Sequence, residues 1–133
     1  MSAVYWEIRV ARTHEPLASR ARVARSLISR MVGLLGRSRL EEGEGLILTA
    51  CRSIHTFGMR FAIDAVVVNG AWEVLAIWKA LPPGRMTPFV LRAQTVIELP
   101  AGTVGRTRLQ VGDRVVLEPV GGKMRLTTPS IPR

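Results

Sequence analysis

The stretch CRSIHTFGMRFAID, residues 51–64, gathers the side chains best suited to chemistry: the chain's only cysteine, a histidine, a methionine and an acid set in an apolar run. Cys51, His55 and Met59 follow one another at intervals of four, and with His14 they supply the soft ligand set of a blue-copper centre. The same residues could serve as a Cys/His nucleophile pair, in which imidazole activates the thiolate. The third reading is structural: a small buried cysteine, a core methionine and a histidine bonded to backbone, leading into a strand.

Spacing and position decide among these. On an extended chain Cys51 and His55 lie about 13 Å apart, and Cys51 and Met59 up to about 26 Å apart. Metal ligands must converge to about 2–2.3 Å from one ion. Gly58 and the β-branched Ile54 and Thr56 oppose the helix that would bring these residues onto one face. Blue-copper ligand loops also lie near the end of their fold, whereas 74 residues follow Met59 here. Cys51, His55 and Met59 therefore stay weak metal candidates; no cofactor is expected, and the structural reading is preferred for Cys51 and Met59.

Asp64 is the sharper oddity. Within RFAIDAVVV it shares a face with Ala62, Val66 and Val68, where an ionised carboxylate must be paired or bonded to several N–H groups. Arg60, four residues earlier on the expected strand, is one candidate partner, with His55 and Arg85 as others. Glu98 is a second acid in an apolar strand. His55, Arg60, Asp64, Arg85 and Glu98 together make a candidate cleft for a small polar or anionic ligand. A buried ion pair that fixes strand register is the structural alternative. No catalytic residue is assigned, and glycine-rich phosphate loops, paired zinc motifs and a nucleophile elbow are all absent.

The elements that must position these residues are short. Residues 5–12 alternate as a half-buried strand, THEP turns, and ASRARVAR alternates again, so residues 4–25 read as a hairpin. Ser26 is a helix N-cap; Leu27, Met31, Leu34 and Leu35 form one apolar stripe, and Gly36 suits a left-handed C-cap. Strands follow at 45–50 and 60–69, then an Asn69-Gly70 hairpin and a returning strand to Leu81. A three-proline loop at 82–88 must leave the sheet. QTVIELPAG is another strand, Gly102–Arg108 a turn or one helical turn, and GDRVVLEP the last strand. The expected fold is α+β: mostly antiparallel β, a small sheet or partial barrel with one core-packing helix. Residues 1–118 form one domain and 119–133 a loose tail.

With 133 residues and 47% hydrophobic content, the chain can bury a real core. The formal charge is +9, and 17 of the 19 basic residues are arginines. Residues 1–39 carry eight of them against Glu7 and Glu15. That balance suits nucleic acid, yet the seven aromatics form no base-stacking motif, so this partner is carried as an alternative. No window approaches a membrane-spanning helix and no signal segment is visible, so a cytoplasmic location is expected.

RMVGLLGRSRLEEGEGLIL, CRSIHTFGMRFAIDAVVVN, VIELPAG and VGDRVVL, in this order and at this separation, resemble the prokaryotic family known as domain of unknown function 192. The resemblance runs from about Arg20 to Leu117 and implies a small β-rich domain with one helix. It brings no activity with it. Many members of that family carry a Trp-Met-Lys-Asn-Thr-like stretch in place of the Cys and His, so the resemblance implies that metal binding is not what they share; many also look exported. The preferred function is a non-enzymatic ligand-binding or accessory module. The alternatives are copper-type metal binding, nucleic-acid binding, and a small enzyme using the acids or Cys51.

Overall fold

The structure, a computed structural model, describes residues 4–25, 34 and 36–121. Seven strands form one curled sheet in the order β5-β4-β6-β3-β2-β1-β7: β1 (Trp6–Val10), β2 (Pro16–Ala24), β3 (Glu44–Thr49), β4 (Ile63–Val68), β5 (Val74–Leu81), β6 (Thr95–Pro100) and β7 (Val115–Pro119). A short helix, α1 (Thr103–Thr107), lies between β6 and β7. The architecture is a mixed half-barrel. Most neighbours are antiparallel, as the alternation of the sequence suggests, but β2 and β3 pair in parallel, Ala21 beside Gly45. A Cβ at Gly45 would lie 3.3 Å from both Ala21 and Leu99, so glycine lets these strands and the core close together.

The outer strands of this order meet at one end. Val74 N donates to Asp113 O at 2.8 Å, Gly112 N to Val74 O at 2.9 Å and Val115 N to Trp72 O at 3.0 Å. The curl encloses an inner core that includes Trp6, Ile8, Leu17, Ile97, Leu99 and Leu117. A second core lies on the outer face, with Leu34, Leu46, Met59, Ile63, Val67 and Val96. Successive residues of β4 alternate between the two, so all six are buried.

What covers the outer face follows from topology. Strands β3 and β4 both run antiparallel to β6, and β5 and β6 both run antiparallel to β4. Each pair is therefore mutually parallel and needs a long crossover connection. The two crossovers, residues 50–62 and 82–94, pass over the same face and are hydrogen-bonded to each other. Val90 N donates to Arg52 O, Thr87 N to Ile54 O and Thr56 N to Arg85 O, with His55 and Met86 in an isolated bridge. Ile54, Thr56 and Thr87 turn inward and are buried. We call this paired ribbon the strap.

The helix expected from Ser26 to about Gly36 falls almost wholly outside the described residues; Leu34 is buried and Gly36 has φ 83°. Of the tail expected from residue 119, only residues 119–121 are described, and Val120 N still bonds Tyr5 O.

Candidate functional site

Asp64 is fully buried, and its partners are backbone amides rather than a cation. Ala80 N donates to Oδ1 at 2.8 Å, while Gly102 N and Val104 N donate to Oδ2 at 3.2 and 2.8 Å. Two local irregularities create those donors. Between the pairs Ile63–Leu81 and Ala65–Trp78, Asp64 alone faces Lys79 and Ala80, a β-bulge that leaves Ala80 at φ 50°. Gly102 precedes α1 with φ 97°, a conformation open mainly to glycine, and presents the first amides of the helix to the carboxylate. Asp64 thus ties β4, the β5 bulge and the start of α1 together.

Glu98 is also fully buried, but on the other side of the sheet. Asp64 stands opposite Leu99 and Glu98 opposite Ala65, so the two acids project to opposite faces. The five residues of the expected cleft are therefore not brought together. Arg60 is exposed and precedes β4 instead of lying on it, so it does not share a strand face with Asp64. A turn within the strap, closed by Met59 N donating to Thr56 O, precedes Arg60.

His55, Arg60 and Arg85 do share one structure, the strap. The His55 ring stacks on Phe57 with centroids 5.1 Å apart, and its Nδ1 is buried without a hydrogen-bond partner among the described residues. Arg85 and Arg60 are exposed. Thr56 Oγ1 receives the Arg85 amide at 2.9 Å and donates to Pro82 O at 2.6 Å, pinning the two crossovers.

Further along the strap, past the Val90–Arg52 bond, lies a recess of about 430 Å³ lined by Ala50, Cys51, Arg52, Ser53, Phe89, Ala93 and Gln94. Arg52 sits over the Phe89 ring, 5.6 Å from its centroid, a cation–π contact. Cys51 is half-buried, and its Sγ donates to Ser53 O at 3.1 Å. Met59 is buried in the outer core. Among the described residues no three His, Cys, Asp or Glu side chains cluster as a metal centre would need.

Charge is distributed unevenly. Residues 50–63 and 74–97 contain no Asp or Glu, while the strap carries exposed Arg52, Arg60, Arg85 and Arg92. Elsewhere among the described residues, several arginines meet carboxylates. Arg12 forks onto Asp113 at 2.8 and 3.0 Å, and Arg37 onto Glu44 at 2.5 and 3.1 Å. Hydrogen bonding from Arg12 holds Asp113 below the usual carboxylate range, and Arg37 does the same to Glu44. The sequence reading missed Arg52, Arg92 and Phe89. The signal available was the pair of acid-free segments on either side of the Asn69-Gly70 hairpin.

No described helix is long and apolar enough to cross a membrane. No curated protein matches the chain significantly. Two solved structures share its fold. One is a protein of unknown function from Novosphingobium aromaticivorans DSM 12444, with TM-score 0.71 and 22% identity over 82% of each chain. The other, from Sinorhizobium meliloti 1021 and provisionally described as a transcription regulator, has TM-score 0.71 and 19% identity, covering 90% of this chain and 95% of that one. Residues 8–117 match the family described as "Uncharacterized ACR", and the chain belongs to that family, domain of unknown function 192.

Proposed function

We propose that the protein is a non-enzymatic binding module that takes the phosphate or carboxylate of an anionic ligand at the strap. The observation that carries this reading is the recess beside Arg52: a cation held over Phe89, a hydroxyl at Ser53 and an amide at Gln94, in segments that contain no acid. Its volume lies within the range of small-ligand sites. An anion there meets donors without like-charge repulsion, and arginine offers a planar fork suited to either group.

His55, Arg60 and Arg85 lie on the same strap and extend the cationic surface. Asp64 and Glu98 take no part, because one is saturated by backbone donors and the other is buried on the sheet.

Thermal unfolding with inorganic phosphate and with glycerol 3-phosphate tests the reading. A ligand that binds only the folded state raises Tm with concentration, about 2.7 kcal/mol at one hundred times Kd. The rise should vanish in Arg52→Ala. No rise with either probe, or an equal rise in Arg52→Ala, rejects the assignment.

A further inference from the structure

The strap's outer surface pairs its arginines with large apolar side chains that the fold leaves in water. Phe57 is 51% exposed, Met86 66%, Phe89 63% and Leu91 73%. All four belong to the two hydrogen-bonded crossovers, interleaved in sequence with Arg52, Arg60, Arg85 and Arg92. Isolated exposed apolar residues are ordinary, but a cluster of them on one ribbon among cations marks an interaction surface. Its sign is set: no acid lies in either crossover, so the partner is anionic, and its surface must also accept aliphatic side chains.

Resting on the reading of the strap as an anion site, we infer that its ligand is presented by an anionic lipid bilayer, onto which the strap docks as a peripheral surface. Phe89, Leu91, Met86 and Phe57 enter the boundary between headgroups and acyl chains, while Arg52, Arg60, Arg85 and Arg92 remain at the level of the lipid phosphates. The recess beside Arg52 receives one headgroup phosphate.

Single-stranded nucleic acid is the competing anionic partner, and the side chains disfavour it. Base recognition needs open aromatic faces. Here the Phe57 ring is stacked on His55 and the Phe89 ring carries Arg52. The two most exposed apolar side chains, Leu91 and Met86, have no ring to stack on a base but suit acyl chains well. The strap is also held by backbone bonds and by Thr56 and Thr87, so it can press these groups into a surface without reordering.

Co-sedimentation of the full chain with vesicles decides the matter. Vesicles of phosphatidylcholine and phosphatidylserine at 7:3 should retain the protein, and pure phosphatidylcholine should not. Binding should weaken as salt rises. Arg60→Gln with Arg85→Gln should reduce affinity roughly 30-fold, at about fivefold per cation. Phe89→Ser with Leu91→Ser should reduce it at least about tenfold with Tm unchanged, because both side chains are exposed. A control pair away from the strap, Arg9→Gln on β1 with Arg114→Gln just before β7, should have a smaller effect.

Several results overturn the inference: no retention on anionic vesicles, indifference to Phe89→Ser with Leu91→Ser, an equal loss in the control pair, or tighter binding to a single-stranded oligonucleotide than to vesicles. If vesicles fail while glycerol 3-phosphate still raises Tm through Arg52, the lipid surface falls and the anion site stands. If both fail, both fall.

Discussion

Asp64 and Arg60 lie four residues apart and hold their charges under opposite conditions. The carboxylate is fully buried and accepts three backbone N–H groups from β5 and from the start of α1. The guanidinium stands in solvent, on a strap where no Asp or Glu follows it before Asp64 itself. A buried charge must be saturated by the fold, and once saturated it serves the fold. An exposed cation without a carboxylate does little for stability and is available to a partner. The expected cleft thus divides into a buried half, Asp64 with its three backbone donors and Glu98 on the opposite face of the sheet, and a surface half, His55, Arg60 and Arg85.

The largest effect should come from the buried side. Asp64→Ala leaves the amides of Ala80, Gly102 and Val104 without their acceptor, in a structure that already holds Ala80 at positive φ. At about 1–3 kcal/mol for each unsatisfied buried group, a loss of about 3–5 kcal/mol is expected in denaturant unfolding. Against a typical total of about 5–15 kcal/mol this approaches unfolding. Asp64→Asn keeps one acceptor and should lie between. A loss below about 1 kcal/mol for Asp64→Ala would remove the distinction between the two halves.

Acid should act on the other satisfied carboxylates. Asp113 and Glu44 are held below their ordinary values of 3.8 and 4.5, chiefly by hydrogen bonds from Arg12 and Arg37. Because the folded values are the depressed ones, the stabilisation is complete above the ordinary values and is lost as pH falls through the folded ones. Unfolding free energy should thus decline on acidification below about pH 4.5, and less steeply in Arg12→Ala and Arg37→Ala. Equal slopes in wild type and variants would show that these pairs contribute nothing. The strap arginines offer the contrast: Arg60→Gln and Arg85→Gln should leave stability within about 0.5 kcal/mol at any pH. A larger loss from either would mean that the strap needs its charge to fold.

Much of this was legible in the residues, and the failures have one cause. Alternation located the β1–β2 hairpin, Asn69-Gly70 located the turn between β4 and β5, and the apolar run around Asp64 marked it as a carboxylate with an obligation. Alternation says which residues share a face of one strand. It does not say how that strand registers against its neighbour. Asp64 and Glu98 would have shared a face had β4 and β6 paired one residue differently; with Asp64 opposite Leu99 they cannot. The partners of Asp64 were invisible for a related reason: they are backbone amides 16, 38 and 40 residues away, created by a bulge and a helix start. The parallel β2–β3 pair and the two crossovers likewise depend on strand order. Without that order, residues 51–59 read as a lead-in to a strand at 60–69 and 82–88 as a loop, and neither suggests that they zip into one strap.

The smallest effect should come from the residue that first drew attention. Cys51 packs at the edge of the outer core, half-buried, with its Sγ directed to Ser53 O inside its own turn. Met59 is buried in that core, and His55 stacks on Phe57 at the strap. Cys51 and Met59 thus belong to one outer core while His55 lies on the strap, and drawing all three onto one ion would require His55 to leave its ring and Met59 its packing. Cys51→Ser replaces a weak donor by a stronger one of smaller size that can still reach the Ser53 carbonyl, so a change below about 1 kcal/mol is expected. In the wild type, a thiol-reactive probe should label Cys51 much faster after denaturation than before it. Elemental analysis should find no stoichiometric copper or zinc in the purified protein, with no difference in His55→Ala. One equivalent of metal lost with that substitution would mean that the crossover residues 50–62 rearrange around an ion, and the surface half of the comparison would have to be redrawn as a metal centre.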